Sequence, residues 1–487
     1  MPSGRIAVLG GGPAGLAVAQ LLKRQQPALQ VTLFERQAPD STFGYGVGLG
    51  WKALAGLTAA SPSCVADLER ASRELKRWTI CSGDASISAH NSHGLAISRQ
   101  VLLEVLREHA VQAGVDIRAG VHVTLDDVVD ADVIIAADGV GSETRARLAP
   151  QLGVTATRGE LAYLWCGAEI ARDEMTLALT RTPAGPMVAH VMPYSDSAST
   201  FQVDAMQDTL GSLSDVGGSS LAYLESTFSG LLGGTPLRAK RPVWQVFETV
   251  KCERWSTGNV VLLGDAAHTA HYTVGSGTGL AIEDAACLAE ALVGGGSPAD
   301  AFEAYATARQ PRVHRLQERA ARSELWWSSL ALRMDNPLPQ LLLSYLSRTG
   351  AVPLAAIASD NADLVRQCLP GADGGDLTAA ILATPFEEHP HRVVTAPDAA
   401  TLVVDSTPTL DSLRATVEQV RDLAATGTTL VRLTGAPGAD AVLDRLDLAE
   451  HIRAGAKLPT VVAGTESTRD TLALGVLTGR TDLVEIC

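Results

Sequence analysis

The sequence predicts an α/β protein in three parts: a parallel sheet with flanking helices, an antiparallel sheet set beside it, and a C-terminal βα-repeat too short to close a barrel. Three observations predict this. A glycine-rich loop, Gly10-x-Gly12-x-x-Gly15, stands between an apolar run at 5–9 and a helix-like run from 16 onward. From 163 to 203, strand-like stretches alternate with turns. Beyond a Gly-, Pro- and Asp-rich stretch at 369–376, short apolar runs alternate with amphipathic segments, the pattern of parallel βα units.

Taken in order, 5–9 reads as a strand, 16–22 as the start of a helix, and 31–34 as a second strand ending at Glu35. This βα-β context gives the glycine loop a Rossmann-like, dinucleotide-binding meaning. Gly10 permits the tight turn, Gly12 lets backbone approach a pyrophosphate, and Gly15 lets the helix pack on the strand. Pro13 and Ala14 open the helix, whose N-terminus offers N–H donors to phosphate. Glu35, with Arg36 after it, lies twenty residues past Gly15, where an acid accepts from ribose hydroxyls. An amphipathic helix over 98–112 opens with Ser98-Arg99, which places Arg99 to pair with a pyrophosphate or to lie solvated at a helix end. A buried-type strand at 133–137 runs into Asp138-Gly139, with Ser142 and Arg145 following. Another at 260–263 runs into Gly264-Asp265-Ala266-Ala267-His268, then Gly275-Ser276-Gly277-Thr278-Gly279 and a helix to 292. A long helical stretch covers 299–327. In the tail, strands at 402–404, 429–433, 460–463 and 482–486 alternate with helices at 409–424, 439–453 and 467–478. A closed eight-stranded barrel needs about 200 residues or more, so roughly one hundred cannot complete one.

Composition removes other classes. With 39 Lys+Arg against 54 Asp+Glu, the net charge of −15 disfavours nucleic acid as a partner. Hydrophobic residues make up 46% and charged residues 19%, as in a packed globular protein. No apolar run reaches the roughly 18 residues of a membrane span, and the glycine cluster interrupts the only stretch resembling a signal peptide. Seven scattered cysteines without a CxxC read as reduced thiols, with no metal site and a cytoplasmic setting.

The three strand-end motifs together resemble the single-component FAD-dependent aromatic hydroxylases, the para-hydroxybenzoate hydroxylase class. Within it, the run His268-Thr269-Ala270-His271-Tyr272-Thr273-Val274-Gly275 replaces the usual Pro-Pro and is similar to the salicyloyl-CoA 5-hydroxylase and 2-aminobenzoyl-CoA monooxygenase group. Phe43-Gly44-Tyr45-Gly46-Val47, Tyr163-Leu164-Trp165-Cys166-Gly167, Ala189-His190, Ser199-Thr200-Phe201, Leu316-Gln317, Ser323 and Trp326 extend the likeness over most of 1–370. Gly279 departs from it, standing where the group carries a larger polar residue. The tail resembles the first and last parts of an old-yellow-enzyme-like barrel whose middle is missing, a remnant without its second flavin. Anion binding at its Gly464 and Gly479 is the lesser expectation beside simple turns.

The resemblance implies a domain plan: FAD-binding at 1–160 with a substrate-domain excursion near 75–97, a substrate-binding sheet at 161–254, the last part of the FAD domain at 255–330, helices and linker at 331–376, and the remnant at 377–487. It implies FAD as cofactor, with Asp138 and Asp265 among its contacts, NADH or NADPH and O2 as co-substrates, and hydroxylation of an electron-rich ring through a flavin C4a-hydroperoxide. Gly275, Ser276, Gly277 and Thr278 suit the flavin ring edge, where a helix N-terminus stabilises negative charge by roughly 0.3–2 kcal/mol. His271 and Tyr272 lie near flavin and substrate in this reading, with His271 a proton-transfer or positioning group or a structural hydrogen bonder. His190 faces the substrate from the sheet or is a satisfied histidine; His268 reads as structural. The resemblance alone implies a small aromatic substrate carried as a CoA thioester, whose phosphates would find Arg238, Lys240 and Arg241, or Arg309 and Arg312, unless those are solvated surface. The sequence leaves the assembly open, a homodimer being one candidate. Two other readings stay open: a monooxygenase or epoxidase on a free or carrier-protein-bound aromatic, and a non-catalytic flavin protein that sequesters an intermediate. The absence of a Trp-x-Trp-x-Ile-Pro motif argues against a halogenase.

Overall fold

The computed structural model describes residues 4–38, 44–214, 221–240, 242–369, 376–396 and 398–487. Phe43, Arg241 and most of the 369–376 linker lie outside the described residues. The chain divides into two units, 1–78 with 91–324, and 79–90 with 325–487.

The first unit holds a six-stranded sheet in the order Ser256–Thr257, Val260–Leu262, Val133–Ala136, Arg5–Leu9, Gln30–Glu35, Asp116–Ala119. The pairs are parallel except at the short Ser256–Thr257 edge. Val133–Ala136 is buried along its whole length, as a strand covered on both faces must be. Helix Pro13–Gln25 starts on a proline, whose missing N–H costs nothing there, and ends with Lys23 and Arg24 near its negative pole. Its Leu16, Val18, Leu21 and Leu22 are buried, and helices Arg99–Ala113 and Gly277–Val293 pack against it.

A second sheet has eight strands in the order Gln245–Cys252, Val154–Ala168, Ser199–Met206, Gly185–Pro193, Met175–Thr182, Arg73–Ser82, Ala85–Ser98, Gly46–Gly50. The turn end of the Arg73–Ser82 and Ala85–Ser98 strands, 79–90, groups with the second unit. Alternation along Ser199–Met206 sends Phe201 onto Phe228 and leaves Gln202 and Asp204 on the opposite face.

In the second unit, strands Ala400–Val404, Val431–Gly435, Thr460–Gly464 and Leu483–Ile486 form a parallel sheet whose spatial order is the chain order. Helices Leu410–Ala425, Ala439–Ala456 and Arg469–Leu477 connect them. Val393 pairs in parallel with Val484, so the segment before the first strand lies beside the last one. First-beside-last is the relation that closes a barrel, kept here with few strands between. Residues 442–452 of Ala439–Ala456 are all buried despite five charged or imidazole side chains. Arg333 meets Glu450 at 2.5 Å and Arg480 meets Asp447, so these charges are paired. Among the described residues, no helix is long and apolar enough to cross a membrane.

Candidate active site

The glycine loop behaves as a phosphate cradle should. A Cβ at Gly10 would lie 2.2 Å from the Ala137 carbonyl oxygen, and one at Gly15 would lie 2.0 Å from the Gly10 carbonyl oxygen. Neither position admits a side chain without moving backbone. A Cβ at Gly12, Gly139, Gly141, Gly275 or Gly277 would meet nothing within 4 Å. Tight backbone packing therefore sits behind a surface of bare peptide. In front of it lies a cavity of about 430 Å³ lined by Gly10, Gly12, Glu35, Arg36, Arg99 and Asp138 among others. Six residues singled out from separate stretches of sequence thus share one chamber. Pro13, Ala14 and Gly15 supply the helix start beneath it.

Glu35 accepts hydrogen bonds from the Gly11 N–H at 2.6 Å and the Gln37 N–H at 2.7 Å, which fix its carboxylate at the strand end. Arg36 is exposed and faces Glu143 at 3.9 Å. Asp138 accepts from Ser142 Oγ at 2.6 Å and from the Thr144 N–H at 3.1 Å, so it holds the turn that follows it. Arg145 donates to the carbonyls of Asp265 at 3.1 Å and Ala266 at 3.0 Å, and to that of Val140. This clips the second motif to the third. Asp265 is hemmed in by neighbours, which pushes its carboxyl above the usual range against the pull of His268 and Arg99, yet part of the residue is exposed. Burial lowers Arg99 while Asp265 and Glu35 hold its charge. The acids and Arg99 form a polar lining for a nucleotide, and the bare glycines leave room for it. The residues present fit FAD.

The loop Gly275–Thr278 meets strand Gly46–Gly50, where a Cβ on Gly48 would stand 3.5 Å from the Gly275 carbonyl oxygen. Gly279 also has a packing reason: its Cβ would lie 3.2 Å from Ala53 Cβ, so helix Gly277–Val293 approaches Trp51–Thr58 too closely for the larger residue of the related group. Gly44 and Gly167 likewise face Trp165 and Tyr45 at under 3 Å, which interlocks two stretches singled out in the sequence. Tyr45 and Trp165 meet edge-on at 6.0 Å.

Beside that loop lies a second polar group. His271 is 1% exposed; burial pushes it down to about 4. Its Nδ1 is 3.1 Å from Thr273 Oγ1, and its Nε2 is 3.6 Å from Glu324, a carboxyl that burial raises. Tyr272 stacks on His271 at 4.3 Å and on Tyr163 at 4.6 Å, with Phe247 against both His271 and Tyr272. The Tyr272 hydroxyl is buried against Asp204, and burial followed by the Asp204 carboxylate holds it well above its ordinary value. His190 Nε2 lies 3.0 Å from Asp204 Oδ2. His190, His271 and Tyr272 are thus gathered around Asp204. The sequence marks Tyr163 only as part of a family-like stretch, and does not mark Asp204, Phe247 or Glu324. The available signal for Asp204 was an acid in a strand-like run, Phe201-Gln202-Val203-Asp204-Ala205, whose alternate residues are apolar.

His268 stands apart from this group. Its Nε2 is 2.7 Å from Asp284, which also takes Arg309 at 2.7 Å, while Arg309 bonds Glu283 at 2.7 Å. Arg309 is 2% exposed, so the expectation that it meets a CoA phosphate is corrected: its charge is spent inside the protein. Arg238 is exposed and pairs with Glu169 at 3.1 Å. Among the described residues, no cluster of His, Cys, Asp or Glu is placed to hold a metal.

Comparisons with known proteins agree with this geometry. The family described as FAD binding domain matches residues 4–320. Salicyloyl-CoA 5-hydroxylase of a Streptomyces species is 32% identical, aligned over 99% of both chains. The 3-hydroxy-4-methyl-anthranilyl-[aryl-carrier protein] 5-monooxygenase of Streptosporangium sibiricum is 36% identical over 74% of this chain and 99% of its own. The solved structure of 2-methyl-3-hydroxypyridine-5-carboxylic acid oxygenase shares the fold, with a TM-score of 0.57 at 22% identity, covering 71% of this chain and 96% of that one. Glycine cradle, strand-end acids and sequence likeness converge: the chain belongs to the FAD-binding-domain family of flavin-dependent aromatic monooxygenases.

Proposed function

We propose that this enzyme uses FAD, NAD(P)H and O2 to hydroxylate an electron-rich aromatic ring carried as a CoA thioester. The observation that carries this reading is the wall of half-buried Tyr163, His190 and Tyr272 around buried Asp204 and His271, beside the Gly275–Thr278 loop. It offers stacking surfaces and a few polar atoms, the makeup of a pocket that orients one aromatic ring. When bound, FAD supplies the redox chemistry and the oxygen activation. The chain's own residues do the rest. Gly10, Gly12 and the helix N-terminus would hold its pyrophosphate, Glu35 would take ribose hydroxyls, and Arg99 and Asp265 would supply further polar contacts. The N-terminus of Gly277–Val293 favours negative charge on the flavin. Tyr272, Tyr163 and Phe247 exclude water, and neutral His271 holds a proton at one ring nitrogen for transfer or positioning.

The thioester is supported by what the relatives span. The CoA hydroxylase aligns with 99% of this chain, the carrier-protein enzyme with 74%, and so a quarter of the present chain has a counterpart only in the former of the two. The 36% identity to the latter favours a second reading, a ring held on a carrier protein. One assay separates them. The FAD-loaded protein is given NADH or NADPH in air, with ortho-hydroxybenzoate as its CoA thioester, on a phosphopantetheine carrier, and free. Nicotinamide oxidation with a product heavier by one oxygen on the CoA ester is expected. Turnover confined to the carrier selects the second reading; turnover only of free acid, or none above the ligand-free rate, overturns both.

A further inference from the structure

The cavity in front of the glycine loop holds more positive charge than the protein answers. Four arginines line it: Arg36, Arg99, Arg107 and Arg147. Three of them have acids beside them. Arg36 faces Glu143 at 3.9 Å, and Arg147 donates to both carboxylate oxygens of Asp126 at 2.8 and 2.7 Å. Arg99 stands in the field of Asp265 and Glu35. Arg107 differs: among the described residues, no hydrogen bond or ion pair reaches its guanidinium. Glu104, the acid one turn earlier on the same helix, accepts from Gln100 Nε2 at 2.8 Å. In a chain of net charge −15, acids outnumber bases, so a cavity cation left without one is set apart.

Helix Arg99–Ala113 puts Arg107 there. Arg99, Leu103 and Arg107 recur every four residues, and all three line the cavity, so they form one stripe of the helix. Leu103 is buried and Arg107 half-buried, as fits a side chain that lays its stem on apolar surface and keeps its head toward open space. A guanidinium offers five donors in a fixed fork suited to phosphate oxygens. The rest of the lining is the nucleotide end of the site: Gly10, Gly12, Glu35 and Asp138 line the cavity, whereas the Gly275–Thr278 loop does not. What FAD brings to this end is its ADP half, the part that carries its negative charge. We infer that Arg107 is the uncompensated cation against which that anionic half binds, and so the residue that makes the chain retain FAD through its ADP moiety. Arg99 shares its charge with carboxylates before any ligand arrives; Arg107 does not. Arg107 lies outside the three strand-end motifs. The inference needs FAD in this cavity and is independent of the thioester reading.

The test uses the full chain and follows flavin fluorescence, which separates bound from free FAD without turnover. FAD is titrated directly, and ADP is titrated as its competitor. Arg107→Gln is expected to weaken FAD and ADP alike by roughly 10–100-fold, the range of a hydrogen bond to a charged group. Arg107→Lys keeps the charge and is expected to recover most of that loss. Apoprotein melting midpoints should match wild type in both variants, because the guanidinium makes no bond in the ligand-free chain; a merely structural role would lower them. Should Arg107→Gln fail to fold, Arg107→Met replaces it as the neutral variant, and Arg107→Lys is read in either case. Unchanged FAD affinity in the neutral variant, a loss for FAD without one for ADP, or an equal loss in the lysine variant overturns the inference. Wild type that binds FAD but does not exchange it for ADP overturns it as well, and with it the assignment of the cavity to the nucleotide.

Discussion

His271 shows how burial sets a side chain's chemistry. In the folded protein it stays neutral down to about 4, because burial disfavours the imidazolium more than Asp204 favours it. In the unfolded chain it takes a proton near ~6.5. Between those values the unfolded state binds more protons, so stability rises with pH across the window and is lost as pH falls through it. The loss is about 3 kcal/mol, complete below about 4. His451, pushed to about 4 by burial in the second unit, has the same sign. Thermal midpoints measured from pH 7 to pH 4 should therefore fall in wild type, and His271→Asn should fall less steeply; parallel curves would mean that His271 is not buried neutral. The chemistry-bearing residues divide by how local their signal is. Gly10, Gly12, Gly15, Glu35 and Asp265 are legible in sequence because a strand end, a turn and a helix start within a few residues dictate them. Asp204 is not, because its meaning comes from a register that joins three strands and a loop seventy residues further on.

At the scale of elements, one helix and one strand set the nucleotide site. Helix Pro13–Gln25 presses on strand Arg5–Leu9 at Gly15, and exposes its first peptide at Gly12. The same substitution should therefore do different things three residues apart. Gly15→Ala puts a methyl 2.0 Å from the Gly10 carbonyl oxygen, so helix and strand must separate. Apoprotein stability should fall by about 1–3 kcal/mol, the usual cost of overpacking. Gly12→Ala meets nothing within 4 Å, and its φ of −74° suits alanine. Its apoprotein midpoint should match wild type, while the methyl occupies the approach of the pyrophosphate and FAD binding weakens roughly tenfold or more. Apoprotein melting and FAD titration by flavin fluorescence check the pair; equal effects on both readouts would refute the division of labour. The βα-repeat of the tail was readable because its apolar runs and helices alternate with fixed spacing, and its four parallel strands fall within two residues of expectation at nearly every end. The order of the eight-stranded sheet was not, since Gly46–Gly50 reaches its edge by pairing with Ala85–Ser98, a long-range choice that no local pattern encodes.

For the whole molecule, the question is what the second unit adds. The cavity at the glycine loop and the aromatic wall are built from residues of the first unit alone. A relative with the whole of its length matched by 74% of this chain is a monooxygenase, so a quarter of the chain is dispensable to that relative's reaction. The second unit is internally tied. Arg333 is 1% exposed and has Glu450 as its carboxylate, Trp326 bonds Ser344 at 2.9 Å, and a Cβ on Gly350 would strike Leu443. Residues 333 and 350, on either side of helix Leu338–Ser347, thus both meet helix Ala439–Ala456. A chain ending at residue 368 would strip Glu450 from Arg333, leaving a buried charge whose partner is worth about 3–5 kcal/mol, and would remove Leu443 from Gly350. It should keep FAD in stoichiometric amount, because no cradle residue is lost, yet associate or precipitate through the uncovered helices. Absorbance at the flavin band and sedimentation velocity on the shortened chain measure the two separately. Retained flavin with self-association assigns the second unit to covering these helices; a colourless, monodisperse product would mean instead that the nucleotide site depends on the C-terminal sheet, and that the division of the chain into a flavin unit and a separate tail is wrong.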